Sequence, residues 1–246
     1  MCQGNDKLLE SLRIPIAYDA EDHYDILRSF ASTQFVNLKA LEIDRETDYS
    51  APSSQSDSQN GGREKDDPDA EIKRFFDTSL AKSTNIRHFS FKGSIAIDGF
   101  LSSSFFATSL QNLRALHLKS TLISLENSIR ILQHCRVLET ITGSVGFEEP
   151  MMNNVDTADL YRYMKQTYFP LNIVFSTLIL RFHESITADY IAQFVVLLAI
   201  CCPRFTFVKI QGRLKKYVSD KIRCKLEQAH DAEYTDDINR VLLRIN

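Results

Sequence analysis

A short apolar frame of the form LxxLxL recurs along this chain, and that recurrence restricts the fold more than any other feature. Copies begin at Leu9 (with Leu12 and Ile14), Leu38 (Leu41, Ile43), Ile86 (Phe89, Phe91), Leu113 (Leu116, Leu118), Leu138 (Ile141), Phe175 (Leu178, Leu180) and Phe205 (Val208, Ile210), and an eighth is read at Ile238 (Val241, Leu243). From start to start the steps are 29, 48, 27, 25, 37, 30 and 33 residues, a basic period of about 25 to 30 with two insertions. Alternate side chains of an extended segment share a face, so the fourth and sixth positions turn inward while the third, fifth and seventh face outward. One such repeat cannot bury its own apolar face. Stacked copies can, as a parallel sheet backed by helices over a continuous core. The expected fold is an α/β solenoid of about 7–8 irregular repeats spanning 8–246, with a curved parallel sheet on one face and helices on the other.

The segments between frames carry helical spacing. In DAEDHYDILRSFAST, Tyr24, Ile26, Leu27 and Phe30 recur at helical intervals behind an acidic opening that suits a helix N-terminus. Asp67 reads as an N-cap with Pro68 at the first helical position, followed by Ile72, Phe75, Phe76 and Leu80. Ser124 is placed to cap a helix over 125–135, with Ile129, Ile131 and Leu132 inward. Asp156 caps one reaching Tyr168, and Thr187 one reaching Cys201. The last of these, IAQFVVLLAIC, is apolar nearly all round but well short of the roughly 20 residues of a membrane span, so it reads as a buried core helix.

Cys202, Pro203, Arg204, Phe205, Val208 and Ile210 form CPRFTFVKI, which resembles the CPxLxxLxL opening of cysteine-containing leucine-rich repeats. Cys135, Leu138 and Ile141 give a weaker second copy. The resemblance is to the ribonuclease-inhibitor-like class of leucine-rich-repeat solenoid, found in F-box substrate adaptors of ubiquitin ligases and related fungal regulatory proteins. It implies a non-enzymatic scaffold that needs no cofactor and binds protein partners through the concave sheet face. The sequence departs from the class in three ways: the asparagine that usually follows the strand is missing, phenylalanine often replaces leucine, and no LPxEIL-like helical segment precedes the first frame. The chain therefore reads as the recognition half of such an adaptor or a degenerate member, and a fragment of a longer product is an open alternative.

Composition places the chain among soluble intracellular proteins, cytoplasmic or nuclear. Hydrophobic residues make up 43% of its 246 residues, sufficient for a substantial core. No basic stretch followed by an apolar run opens the sequence. Five cysteines at irregular positions, two of them adjacent, fit reduced thiols better than a disulfide framework. The longest step contains a polar, serine- and glycine-rich stretch over 46–66, expected to be a disordered loop because it has too little apolar surface to offset the entropy of ordering. A shorter insertion carries Met151 and Met152.

Enzymatic signatures are weak. The sequence holds no GxxxxGKS, GxGxxG, HExxH, GxSxG or CxxC element. His134 beside Cys135 reads as a surface histidine next to a buried structural cysteine. His88 and His117 fall at outward positions of neighbouring frames, one row apart, with no further ligands to complete a metal site. A net charge of −3 argues against a dedicated nucleic-acid binder. The basic cluster Arg213, Lys215, Lys216, Lys221, Arg223 and Lys225, interleaved with Tyr217, Val218, Ile222 and Leu226, reads as the solvated side of an amphipathic last helix. It also supports an alternative role, as an accessory subunit of a chromatin or kinetochore nucleoprotein assembly.

The outward rows remain as the candidate partner surface. The middle row reads Arg13, Glu42, Ser90, His117, Thr142, Ile179 and Lys209. The following row reads Pro15, Asp44, Lys92, Lys119, Ser144, Arg181 and Gln211, and the preceding row Ser11, Ala40, His88, Ala115, Thr140, Thr177 and Phe207. From these, Arg13, Glu42, Lys92, His117, Lys119, Arg181 and Lys209 are the expected protein-binding residues, with the cations suited to carboxylate or phosphate groups.

Overall fold

The computed structural model describes residues 9–16, 21–30, 33–45, 68–93, 97–145, 157–182, 188–211 and 215–230. Its strands are β1 (Ser11–Ile16), β2 (Ala40–Arg45), β3 (His88–Lys92), β4 (Ala115–Ile123), β5 (Thr140–Val145), β6 (Thr177–Phe182) and β7 (Phe207–Gln211). They form one seven-stranded sheet in sequence order, and every neighbouring pair is parallel. Sequential parallel pairing obliges the chain to return after each strand. The helices on these returns are α1 (Glu21–Ser29), α2 (Pro68–Thr78), α3 (Ile97–Leu101), α4 (Ser104–Ser109), α5 (Leu125–His134), α6 (Thr157–Tyr168) and α7 (Ala188–Cys201); α8 (Lys215–His230) follows β7.

The frame sets the register. Leu12, Leu41, Phe89, Leu116, Ile141, Leu178 and Val208 lie side by side, as do Ile14, Ile43, Phe91, Leu118, Gly143, Leu180 and Ile210. Both rows are buried apart from Leu12, which is half-buried on the edge strand. The first frame position is also buried in every described copy except Leu9. It ends a tight turn: Leu38, Leu113, Leu138 and Phe205 each donate their amide to the carbonyl three residues back, at 3.0 to 3.3 Å. One carbonyl at the head of each strand then accepts two amides from the next, as Lys39 does from Arg87 and His88, and Arg114 from Glu139 and Thr140.

The two ends of the core are filled differently. Between β1 and β4 the helices contribute phenylalanines: Phe76 stacks on Phe105 at 5.0 Å, Phe89 stacks on Phe100 at 5.5 Å, and Phe75 connects this cluster to Phe30 and Phe35. Between β5 and β7 the filling is mainly aliphatic, from the buried 194–201 stretch of α7, with one stacked pair, Phe175 and Phe205. No helix among the described residues is long and apolar enough to cross a membrane.

Several positions depart from simple periodicity. Ser124 caps α5 as its spacing predicts, accepting the Asn127 amide at 3.1 Å. Of the apolar residues that the spacing names on α1 and α8, Leu27 and Ile222 are buried, whereas Ile26 and Tyr217 are exposed. The connection between β3 and β4 holds two helices, α3 and α4, that the sequence reading did not identify, because each is too short for helical periodicity to register. The loop over 46–66, Met151 and Met152, the Ile238 frame, and the cap positions Asp67, Asp156 and Thr187 lie outside the described residues.

The fifth frame lacks a large residue at its sixth position, and Gly143 stands there. Ile123 supplies the missing side chain. β4 runs four residues, from Leu118 to Leu122, against one step of β5, from Gly143 to Ser144. The bulge carries Ile123 over Gly143, where a built Cβ would lie 2.2 Å from the Ile123 Cδ1. The same bulge is fastened to the end of β3: the Gly93 amide donates to the Lys119 carbonyl at 2.9 Å, and Thr121 Oγ1 donates to the Gly93 carbonyl at 3.0 Å. Gly93 has φ +124° and passes so close to Arg45 that a Cβ would be 3.0 Å from its backbone oxygen, so both conformation and space require glycine.

Candidate interaction face

The three outward rows are observed in the register that the frame predicts, the last of them broken at the β4 bulge, but Thr142 and Ser144 are buried by their neighbours. Arg13, Glu42, Ser90, His117, Thr142, Ile179 and Lys209 form one continuous row. The row from Pro15 through Asp44, Lys92 and Lys119 resumes after the β4 bulge as Ser144, Arg181 and Gln211. His88 and His117 are on adjacent strands one row apart, with His88 opposite Ala115 and Ser90 opposite His117.

The face divides into two parts by charge. On β1 to β3 the charges are engaged with one another. Arg13 is 3.3 Å from Asp44 and 3.8 Å from Glu42, and Lys92 Nζ is 2.8 Å from Asp44 Oδ1. The hydrogen bond from Lys92 holds the Asp44 carboxyl below the usual carboxylate range against an opposing effect of burial, and Arg13 adds to the lowering. Lys92, expected from sequence to reach outward to a partner, is thus also the internal counter-ion of Asp44.

On β4 to β7 the outward side chains include Lys119, Arg181 and Lys209 but no carboxylate. Arg181 is oriented by a neutral group, its Nε donating to Gln211 Oε1 at 2.8 Å. Around these cations lie Thr140, Thr142, Ser144 and Thr177, with Ile179 and Phe207 as half-buried apolar members. His117 Nδ1 is 3.0 Å from the Thr142 hydroxyl. Burial lowers the His117 pKa, and the positive charges of Lys119 and His88 act in the same direction. Its imidazole is therefore held neutral at a pH where an ordinary histidine would begin to protonate.

Seven residues singled out from sequence thus share one face, but they are not one cluster. Arg13, Glu42 and Lys92 belong to the internally paired end; His117, Lys119, Arg181 and Lys209 belong to the other. The sequence reading did not separate these groups, although the signal is present as four successive frames without an outward acid.

No histidine, cysteine, aspartate and glutamate group of three or more among the described residues could hold a metal ion. Cys135, Cys201 and Cys202 are buried and Cys224 is exposed, with none of the four in a disulfide. Burial pushes the Cys135 thiol up to about 12 and the Cys202 thiol higher still, which removes the thiolate needed for nucleophilic chemistry at those positions. No protein-family model matches this sequence, and a search of curated proteins found no significant match.

Proposed function

We propose that this chain is a non-enzymatic protein-interaction scaffold of the leucine-rich-repeat type, similar in design to the substrate-recognition region of F-box adaptors of ubiquitin ligases. The observation supporting this most strongly is the outward face of the sheet. Its three rows point away from the apolar frame rows by alternation, and over β4 to β7 they present cations, the half-buried hydroxyls of Thr140 and Thr177 and two apolar side chains. Such a surface offers recognition rather than chemistry. The test is affinity capture followed by mass spectrometry with the wild-type chain and a variant carrying Thr140→Trp and Thr177→Trp, which obstruct the face. Loss of specific partners with an unchanged melting temperature is expected, and ubiquitin-ligase subunits among those partners would support the adaptor reading. Unchanged capture would refute the face as the binding surface.

A second reading, an accessory subunit of a chromatin or kinetochore assembly, draws on α8, where Lys216 and Arg223 are exposed beside Lys221. It predicts that charge reversal at Lys216, Lys221 and Arg223, and not obstruction of the sheet, removes the captured partners and any salt-sensitive nucleic-acid binding.

A further inference from the structure

We infer that the β4–β7 part of the face takes an extended acidic peptide segment carrying at least one apolar side chain. The inference rests on the outward face being the binding surface, as proposed above, and specifies the chemistry of what binds there. The chain as a whole carries a net charge of −3, yet the outward residues of these four strands contribute Lys119, Arg181 and Lys209 and no acid. On β1 to β3, by contrast, Arg13 and Lys92 are matched by Glu42 and Asp44. The positive charge of the β4–β7 face therefore has no counterpart among its described outward neighbours, and a partner of opposite sign supplies it.

Spacing selects a peptide. At about 4.8 Å between strands, β4 and β7 are separated by about 14 Å, the length of four to five extended residues. Lys119 stands at the start of the β4 bulge, and Arg181 and Lys209 lie in adjacent rows on β6 and β7, so a strand-like segment crossing the sheet meets cations at both ends of its path. Arg181 is held by the Gln211 side-chain carbonyl through Nε and is exposed, so its guanidinium is accessible to a carboxylate. Beside Lys209, Ile179 in the same row and Phe207 in the preceding row provide an apolar contact, and the Thr177 hydroxyl a neutral donor. A phosphate backbone would use the cations but not the apolar pair, and three cations give it little affinity at physiological salt.

Fluorescence anisotropy with three labelled probes tests this: a short peptide alternating glutamate and leucine, its glutamine counterpart, and a single-stranded RNA of similar length. The acidic peptide should bind, with affinity falling as salt rises, and the glutamine peptide should not. The K119E/R181E/K209E variant should lose about tenfold or more in affinity, while K216E/K221E should retain it. Circular dichroism and thermal melting establish that the variants are folded. Equal binding of the glutamine peptide, retained affinity in the triple variant, or tighter binding of the RNA would each overturn the inference. If the Thr140→Trp/Thr177→Trp variant loses its captured partners while the acidic peptide does not bind, the chemistry assigned here is wrong and the face remains the binding surface. If the peptide binds but capture is insensitive to the same variant, the face reading itself is wrong.

Discussion

The two ends of this sheet share one backbone pattern and differ in almost everything placed upon it. From β1 to β3 the outward charges neutralise one another around Asp44, and the core behind them is a phenylalanine cluster centred on Phe76, Phe89 and Phe105. From β5 to β7 the face bears cations without acids, and the core is built from α7 and the Phe175–Phe205 stack. The positions that set the register are apolar at both ends, with Gly143 the one exception, so the frame determines where the chain goes without determining what it displays. Stability and recognition can therefore vary independently along one sheet. The internally paired end gains a specific geometry; the cationic end leaves its charge unmatched by the described outward residues.

The largest effect should come from the aromatic end. Phe89→Ala removes a fully buried ring in contact with Phe76, Phe100 and Phe105, and should cost about 3 to 5 kcal/mol, read from urea unfolding midpoints. A cost below about 1 kcal/mol would show that the cluster is not the core of that end.

At the other end the comparable element is polar. Asn172, 3% exposed, donates to the Cys135 carbonyl at 2.9 Å and accepts the amides of Val174 and Phe175, each at 2.9 Å. It occupies the position three residues before the frame, where other repeats place Phe35, Leu110, Cys135 or Cys202 and close the turn through backbone alone. Asn172→Ala strands the two amides, while the Cys135 carbonyl keeps the Leu138 amide, and should cost about 2 to 3 kcal/mol. Asn172→Asp keeps an acceptor for the two amides but loses the donor to Cys135 and buries a charge beside that carbonyl, so it should rescue only part of the loss.

This residue marks the limit of what the sequence discloses. The strands, their order and their register follow from alternation, because a one-residue slip would turn every buried frame residue outward. Asn172 does not follow, since periodicity counts apolar positions and its role is to satisfy backbone groups of two repeats. The same holds for Gly143, whose apparent gap is filled by Ile123 from the preceding strand. The sequence also carries a near-identical hexamer, FFDTSL at 75–80 and FFATSL at 105–110, and in each the serine donates to the preceding repeat, Ser79 to the Phe30 carbonyl and Ser109 to the Leu80 carbonyl. On the face, alternation named the outward residues correctly, whereas their pairing into two electrostatic groups depends on side-chain reach.

Where the two ends meet, Gly143→Ala should cost about 1 to 3 kcal/mol by crowding Ile123. Ile123→Val removes the Cδ1 nearest the new methyl, so the double variant should recover most of the loss. Additive losses in a double-mutant cycle would contradict the packing described.

The smallest effects concern charge, and pH separates the two ends. Asp44 has a lowered folded-state pKa, so its contribution is present above its ordinary value of 3.8 and is lost as pH falls through the folded value. Asp44→Asn should cost about 1 kcal/mol at neutral pH and flatten the acid limb below about pH 4. His117 is also lowered, from 6.5, so the unfolded chain takes up its proton first and stability declines as pH falls below that value. His117→Gln should flatten the decline between about pH 7 and 5 and leave the lower limb unchanged.

The claim that recognition belongs to the cationic end is tested most directly by photocrosslinking from two positions in the same outward row. A benzophenone side chain replaces Ser90 on β3 in one variant and Ile179 on β6 in the other, and each is irradiated with the captured partners present. Crosslinks from position 179 and none from position 90 are predicted. Crosslinks from position 90 with none from 179 would place recognition on the self-paired end and contradict the account.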